Sequence, residues 1–297
     1  MSLLSATQGR PERVRALFNL VHGCGGALPR ADIAAWMAPT RRGQGPSPGD
    51  TKAALDATLQ VASDLKLVSR SREQVEAIHG TPFSAGGFSD YVYHHLANLP
   101  LEDKDCVVLA AYAAAAVIAE VEDRLSLRWG KESADRIDSL LIKFMPRTDE
   151  EVQRNTKIFN SAKLGAWKNW LTCMGLAWPW GSEILLSPAE RILRESSAFF
   201  TPRGTGAEVD AVEFSKWVAV RFPYLDGGCL FEKAADAAEL PRSRPVSHLL
   251  TRALRELHDD EHIELRQYGD AGRSLALAPG MHEVKRFTHV VLKRGLA

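Results

Sequence analysis

The sequence predicts a mainly α-helical protein with small β-hairpins, because one pattern occurs three times along its 297 residues. In each copy, apolar residues at helical spacing are followed by a short Leu-rich strand, a turn and a second strand. The copies occupy residues 50–80, 165–192 and 245–280. A helix that leads into a hairpin in this way is typical of the last helix and wing of a winged helix-turn-helix domain. We therefore predict tandem winged helix-turn-helix domains joined by a helical middle segment. The predicted domains are residues 1–88, 89–200 and 207–297.

The first domain is predicted to contain three helices and a hairpin. Apolar residues recur on one helical face over residues 11–28, and the glycines of the HGCGG segment end this helix. A second short helix is predicted over residues 29–37. After a loop rich in proline and glycine, Asp50 is a predicted N-cap for the third helix. Residues 65–68 then begin the first strand of the wing.

The middle domain is predicted to be mainly helical. Residues 106–129 form one strong helix, and residues 131–144 continue as an amphipathic helix. A third helix is predicted over residues 149–174. The segment around Pro-Trp-Gly, within residues 175–186, supplies a hairpin. This domain is therefore interpreted as a helical bundle that carries a degenerate winged helix.

The last domain is predicted to follow the same plan as the first. Helices are expected at residues 209–222, 229–238 and 241–258. Residues 263–267 and 274–278 flank a Gly-containing turn and are predicted to pair as the wing hairpin. A basic tail ends the chain.

The charge balance places a limit on nucleic-acid binding. Lys and Arg together number 37, and Asp and Glu also number 37, so the formal net charge is zero. A protein that coats DNA without specificity is expected to be basic, because phosphate neutralisation drives that binding. Any nucleic-acid contact is therefore expected at local patches.

The cysteines and the apolar segments indicate a cytoplasmic protein without a membrane span. The cysteines form no Cys-x-x-Cys pair, which favours reduced thiols over a disulfide framework or a zinc site. The N-terminus lacks the apolar core of a signal peptide. The longest apolar run, residues 106–119, is too short to span a bilayer.

The strongest candidate for DNA contact is the third helix of the last domain together with its wing. Arginine suits this role because its planar guanidinium binds phosphate or guanine in a bidentate manner. Positions 244, 248, 252 and 255 recur at helical spacing, opposite a face of leucines. The alternative is an ordinary solvated helix face. The candidate residues are Arg242, Arg244, Ser247, His248, Thr251, Arg252 and Arg255 on the helix and Arg266 and Arg273 on the wing.

A second candidate surface lies in the first domain. The outer face of its third helix mixes charge signs, and carboxylates there would repel phosphate. Protein docking or scaffolding is the alternative for this domain. The candidate DNA contacts are Arg41 and Arg42 before the helix and Arg70 and Arg72 on the wing.

The densest aromatic group lies in the middle domain and comprises Phe159, Trp167, Trp170, Trp178 and Trp180. Large aromatic residues mostly pack in cores, so these residues are predicted to be core. A stacking platform for unpaired bases is the alternative interpretation, and Trp180 can instead anchor a partner protein.

No catalytic set is found, so the protein is predicted not to be an enzyme and to need no cofactor or metal. His258 and His262 are four residues apart, but no His-Glu-x-x-His pattern is present. The glycine-rich segments lack the Lys-Ser/Thr of a P-loop, and no Gly-x-Ser-x-Gly occurs.

One segment resembles a known family. Residues 159–178, FNSAKLGAWKNWLTCMGLAW, are followed by a hairpin and resemble the middle part of the DpdG-type proteins. This bacterial family is encoded with systems that insert 7-deazaguanine derivatives into DNA and restrict unmodified DNA. Residues 13–39, RVRALFNLVHGCGGALPRADIAAWMAP, are compatible with it, so the resemblance extends over the first two thirds of the chain. It implies an accessory or DNA-recognition subunit of a DNA-modification or phage-defence complex, without catalytic residues.

Two functional hypotheses follow. The first is a non-enzymatic protein that binds DNA, duplex rather than single-stranded, and docks other protein subunits of such a complex. The second is a winged-helix adaptor that contacts only protein, or a winged-helix transcription regulator. The arginines near the third helix of the last domain favour the first hypothesis, and the zero net charge favours the adaptor.

Overall fold

The chain is mainly α-helical with small antiparallel sheets, which confirms that part of the predicted fold class. The computed structural model describes residues 3–6, 9–37, 48–78, 80, 82–122, 124–128, 130–200, 203, 206–242, 245–269 and 273–293.

Several helices begin at a side chain that accepts from a free backbone N–H of the first turn, as N-cap residues do. Ser84 accepts from the N–H of Gly87 at 3.0 Å, and Asp210 accepts from that of Val212 at 2.8 Å. The helices of the described residues are α1 (Pro11–Gly23), α2 (Arg30–Met37), α3 (Pro48–Asp64), α4 (Ala85–Ala97), α5 (Val107–Glu122), α6 (Lys131–Phe144), α7 (Asp149–Gln153), α8 (Ser161–Cys173), α9 (Ala189–Phe200), α10 (Ala211–Arg221), α11 (Cys229–Ala237) and α12 (His248–Asp259).

The strands are short and pair in antiparallel sheets. The strands of the described residues are β1 (Ala27–Pro29), β2 (Val68–Arg70), β3 (Gln74–Ala77), β4 (Ser126–Arg128), β5 (Ala177–Trp180), β6 (Glu183–Leu186), β7 (Glu208–Asp210), β8 (Ile263–Arg266), β9 (Leu275–Ala276), β10 (Arg286–Phe287) and β11 (His289–Leu292).

Among the described residues, three three-stranded sheets share one topology. Their orders are β1-β3-β2, β4-β6-β5 and β7-β11-β8, so in each the last strand in the sequence lies between the first and the second. In each case the chain runs through a helix, a strand, two or three helices and two further strands, and the third copy inserts β9 and β10 before its last strand. The same supersecondary order therefore occurs three times.

The chain divides into two compact units. The first unit is Met1–Val108 with Ser161–Met174. In α1, Val14, Leu17, Phe18 and Val21 recur at spacings of three and four residues and are buried, and the helix packs on α3. In α8, the side chains of Trp167 and Trp170 are completely buried.

The second unit is Leu109–Asn160 with Gly175–Ala297. Its part of α5 is apolar on every side from Leu109 to Ala119 and is buried throughout. The phenol of Tyr112 donates to the carbonyl of Leu176 at 2.9 Å, so the polar atom of this buried ring has a partner.

Two helices of the middle segment differ from the sequence prediction: one ends earlier and the other is divided in two. The helix expected over residues 106–129 ends at Glu122, and residues 126–128 form β4 instead. The helix expected over residues 149–174 is divided into α7 and α8. Asn155 adopts a left-handed conformation with φ of 48°, which cannot continue a helix. The helix predicted after Asp50 begins at Pro48, so Asp50 is not its N-cap.

The wing predicted in the last segment pairs differently. The pairing of residues 263–267 with 274–278 is wrong, because β8 pairs with β11 and β9 pairs with β10. The predicted hairpins of the first two segments are present, as β2 with β3 and β5 with β6.

Candidate nucleic-acid interface

Five of the predicted contact residues, Ser247, His248, Thr251, Arg252 and Arg255, lie on α12 or at its N-cap, and this helix is strongly amphipathic. Ser247 caps its N-terminus by accepting from the backbone N–H of Leu250 at 3.3 Å. The leucine face predicted from the sequence is buried and comprises Leu249, Leu250, Leu254 and Leu257. Contacts to a partner therefore depend on the remaining faces of the helix.

Ser247 and Thr251 are buried and bonded within the chain, which corrects their predicted exposure. The hydroxyl of Ser247 donates to Asp226 Oδ2 at 2.6 Å, and its backbone N–H donates to Oδ1 at 2.8 Å. The hydroxyl of Thr251 donates to the carbonyl of Val246 at 3.1 Å and accepts from the N–H of Ala278 at 2.9 Å. The two side chains therefore link α12 to Asp226 and to the segment that contains Ala278.

Arg255 has a similar structural role. Its Nη2 donates to the carbonyls of Ala278 at 3.1 Å and Val284 at 3.0 Å, and its Nε donates to Val284 at 3.3 Å. Burial lowers the pKa of Arg255 from its ordinary value. The guanidinium thus holds the segment between β9 and β10 against α12, where this segment covers Thr251 and part of Arg255.

Helix α12 also lines an open groove of about 760 Å³, and Thr251 and Arg255 are among the residues at its wall. The backbone N–H of His248 donates to Glu120 Oε2 at 2.7 Å, and its ring Nδ1 lies 3.1 Å from the same oxygen. Arg252 is exposed in this groove. The charge of the groove is mixed, because its lining residues include Arg124, Arg252, Arg255, Glu256, Asp259 and Asp260.

The two arginines that were predicted to lie on the wing of the last segment differ in their surroundings. Arg266 Nη2 donates to Glu264 Oε2 at 2.9 Å, and its Nη1 lies 3.8 Å from Glu208. The hydrogen bonds from Arg266 and Lys293 lower the pKa of Glu264 to about 2, so this carboxylate stays charged. Arg273 is exposed.

A second open groove, of about 660 Å³, has a more favourable charge for phosphate. It is lined by Arg242 and Arg286, together with Ser274, Leu275, Ala276 and Leu277. The side chain of Arg242 is 87% exposed and lies 3.5 Å from Asp236. The carboxylate among the described lining residues is Asp226, which accepts both hydrogen bonds from Ser247. Arg286 was not among the predicted residues, although the basic character of the tail signalled it.

Two candidate residues of the first unit, Arg70 and Arg72, lie within the described residues. Arg70 donates to Gln60 on α3, and Arg30 forms an ion pair with Asp56. Arg72 is exposed in the turn between β2 and β3. Arg41, Arg42 and Arg244 lie outside the described residues.

The aromatic group of the middle segment divides into two classes. Phe159, Trp167 and Trp170 are buried, as predicted for core residues. Trp178 and Trp180 on β5 are instead 51% and 71% exposed, so the core prediction is wrong for them.

Two histidines near the C-terminal end of α12 take part in local contacts. His258 Nδ1 accepts from the N–H of Leu265 at 3.4 Å, and the His282 ring lies 2.9 Å from Asp259. Within the described part of the chain, no three His, Cys, Asp or Glu side chains are grouped so that they could hold a metal ion. None of the described helices is long and apolar enough to cross a bilayer.

The fold defines a mainly helical protein in which one order of helices and strands is used three times. A family model described as DpdG-like matches residues 106–271, which is more than half of the chain. The chain belongs to the DpdG-like family. The match includes residues 159–178, which carried the resemblance, and extends through most of the last segment, whereas residues 13–39 lie outside it. No curated protein and no solved structure matches the chain. Membership of this family indicates a role in the Dpd DNA-modification system.

Proposed function

We propose that this chain is a non-enzymatic accessory subunit of the Dpd system that is built from three winged-helix units, binds duplex DNA and docks other subunits of a cytoplasmic complex. The winged-helix assignment is supported by the shared sheet order and by the chain order of a helix, a strand, further helices and a final strand pair. Family membership supports the link to DNA modification or defence.

The observation that carries the DNA-binding proposal is the groove between Arg242 and Arg286. Two exposed guanidinium groups line it, and Ser247 engages the carboxylate of Asp226. A site of this kind attracts phosphate groups, and it reads no base sequence by itself. We therefore assign the contact to phosphate-binding arginines at this groove. Insertion of α12 into a major groove is disfavoured, because the chain between β9 and β10 covers one of its faces.

A protein-only adaptor is the second candidate. The same covering of α12 favours it, because a winged-helix unit whose third helix is covered lacks the exposed helix that reads DNA in this class. In that case the arginine groove would bind acidic side chains of another subunit.

Binding of the whole chain to duplex DNA across a salt series tests the proposal. We expect the logarithm of the binding constant to fall linearly with the logarithm of salt concentration, with a slope of about 0.9 for each phosphate contact. Two arginine contacts thus contribute a slope of about 1.8. Absence of any salt-dependent duplex binding would overturn the DNA assignment in favour of the adaptor.

A further inference from the structure

The outward face of the β4-β6-β5 sheet carries two exposed tryptophans. Trp178 and Trp180 are two residues apart on β5, and side chains two apart on a strand share one face. The register places Trp178 beside Leu185 and Trp180 beside Glu183. The opposite face carries Leu127 and Ile184, which are both buried. The tryptophans therefore project from the solvent side of the sheet.

The spacing of the two indoles suits successive nucleotides. Two residues along a strand span about 6.6–6.8 Å, so two bases can each stack on a different ring. Aromatic side chains displayed on a sheet bind unpaired bases in this way in several RNA- and DNA-binding modules. Exposure of 51% and 71% leaves both ring systems accessible to a ligand.

The charge beside the tryptophans is complementary to a phosphate backbone. Arg128 on β4 is aligned with Glu183 and its side chain is 81% exposed. Arg124 forms an ion pair with Glu183, and Arg128 Nε lies 4.0 Å from the same carboxylate. Among the described residues of this face, two guanidinium groups thus accompany one carboxylate, which leaves a net positive charge.

The edge of the same sheet is unsuited to a protein strand. The carbonyl of Leu176 accepts from the N–H of Ser187, so every second residue from Leu176 onward bonds inward to β6. By this alternation Pro179 points to the free edge of β5, where it has no N–H to donate. Proline at such a position blocks the addition of another strand.

We propose that the face formed by Trp178, Trp180 and Arg128 binds unpaired nucleotides, with a base stacked on each indole and phosphate beside the arginine. This site goes beyond the duplex contact proposed above and does not depend on it. Unpaired nucleotides are present wherever a modifying or restricting complex opens its substrate, and this surface would hold such a strand.

The test compares binding of a short oligothymidylate and of a duplex of the same length to the whole chain. The double variant Trp178→Ala/Trp180→Ala should weaken oligothymidylate binding by about 5- to 150-fold for each base that stacks, and leave duplex affinity unchanged. Trp36→Ala is the matched control, because Trp36 is 69% exposed on α2, and it should change neither affinity.

Two single variants separate stacking from simple hydrophobic contact. Trp180→Phe should retain most of the oligothymidylate affinity, whereas Trp180→Leu should weaken it by about 5- to 150-fold, because leucine has no π-face. Both residues are exposed, so thermal denaturation should give the wild-type melting temperature for every variant.

The outcomes are distinguishable from those of the duplex proposal. Oligothymidylate binding that is lost in the double variant supports the site, whatever the duplex result. A wild type that binds duplex but no oligothymidylate overturns it, and so does a double variant that binds oligothymidylate as well as the wild type. Equal affinity of the Phe and Leu variants also overturns it and indicates a hydrophobic protein contact instead.

Discussion

The hydroxyl of Thr251 accepts a hydrogen bond from the backbone N–H of Ala278 at 2.9 Å, and both residues are buried. Arg255, one helical turn further along α12, donates to the carbonyl of the same alanine. The two contacts fix the chain after β9 across one face of α12. That face of α12 therefore has a structural role, and backbone carbonyls accept the hydrogen bonds of the Arg255 guanidinium.

Replacement of Thr251 by Val should destabilise the protein by about 1–3 kcal/mol. Valine has nearly the same shape, but the buried N–H of Ala278 loses its acceptor. Chemical denaturation measures the loss. Thr58→Val is the matched control, because the equally buried Thr58 hydroxyl donates to the Ala54 carbonyl, which lies within α3. We expect a smaller cost there, and equal costs would contradict this account.

The helices with strong apolar periodicity could be predicted from the sequence, and the strand pairing of the last segment could not. Residues 263–267 and 274–278 both have strand character, and the turn between them contains glycine, so local signals favour a hairpin. The actual partner of β8 is β11, whose sequence was interpreted as a basic tail. Strand pairing at long range depends on which apolar side chains share a core, and Val290 and Val291 of β11 are buried there.

Prediction of the candidate site failed for a related reason. Helical spacing correctly separated the leucine face of α12 from its polar face. It could not indicate that Arg255 would donate to the carbonyls of Ala278 and Val284, because acceptors on the backbone carry no sequence signal. The exposure of Trp178 and Trp180 was missed because aromatic residues are usually core residues.

Trp170→Ala should destabilise the protein by about 3–5 kcal/mol, the usual cost of truncating a large buried aromatic residue. Its side chain is completely buried in the first unit. Trp180→Ala is the matched comparison and should change the free energy of unfolding by no more than about 0.5 kcal/mol, because the ring is exposed. Denaturant titration of the two variants compares these costs. Similar losses of stability would show that burial does not determine the cost of truncating these two tryptophans.

Glu195→Gln should destabilise the protein by about 3–5 kcal/mol. Glu195 is buried on α9, where it contacts the completely buried Arg191 at 3.2 Å and forms an ion pair with Arg221. Removing the carboxylate charge takes a counter-charge away from the buried guanidinium of Arg191. Glu190→Gln on the same helix removes a more exposed pair with Arg194 and should cost about 1 kcal/mol or less. Equilibrium unfolding measures the loss of stability in both variants. A smaller loss for Glu195→Gln than for Glu190→Gln would refute the prediction.

The stability of the protein should depend on Asp105 between about pH 4 and pH 6. Burial raises the pKa of Asp105 from 3.8 to about 6, although its carboxylate accepts from the N–H of Leu3 at 2.7 Å. The native state therefore binds this proton more tightly than the unfolded state does. The contribution of Asp105 to stability is greatest below about pH 4 and is lost as the pH rises through 6.

The variant Asp105→Asn isolates this effect, because asparagine keeps an oxygen that can accept from Leu3 and has no proton to lose. Relative to wild type, it should gain about 2–3 kcal/mol of stability between pH 4 and pH 7. The measured quantity is the difference between the two unfolding free energies at each pH. A difference that stays constant over this range would show that the carboxyl group titrates normally.

Charge reversal at Arg242 and Arg286 should remove most of the duplex affinity and leave the fold intact. Both side chains are exposed at one groove. The ion pair between Arg242 and Asp236, at 3.5 Å on the surface, adds little stability. The double variant Arg242→Glu/Arg286→Glu should also flatten the salt dependence, by about 0.9 in log–log slope for each phosphate group that the variant no longer binds. Arg154→Glu is the control, since Arg154 is 72% exposed at the end of α7, and it should bind duplex as the wild type does.

Arg255→Lys should lower the melting temperature and leave the salt slope of duplex binding unchanged. The double variant Arg242→Glu/Arg286→Glu should instead flatten the salt slope and keep the fold intact. The substitution removes the guanidinium that donates to the backbone carbonyls of Ala278 and Val284, whereas the arginines that would bind phosphate remain in place. Duplex titrations across salt, with a thermal melt of each variant, measure both effects. If the Arg255 variant lost the salt-dependent part of the affinity and the double variant kept it, the phosphate-binding site would lie on α12 itself.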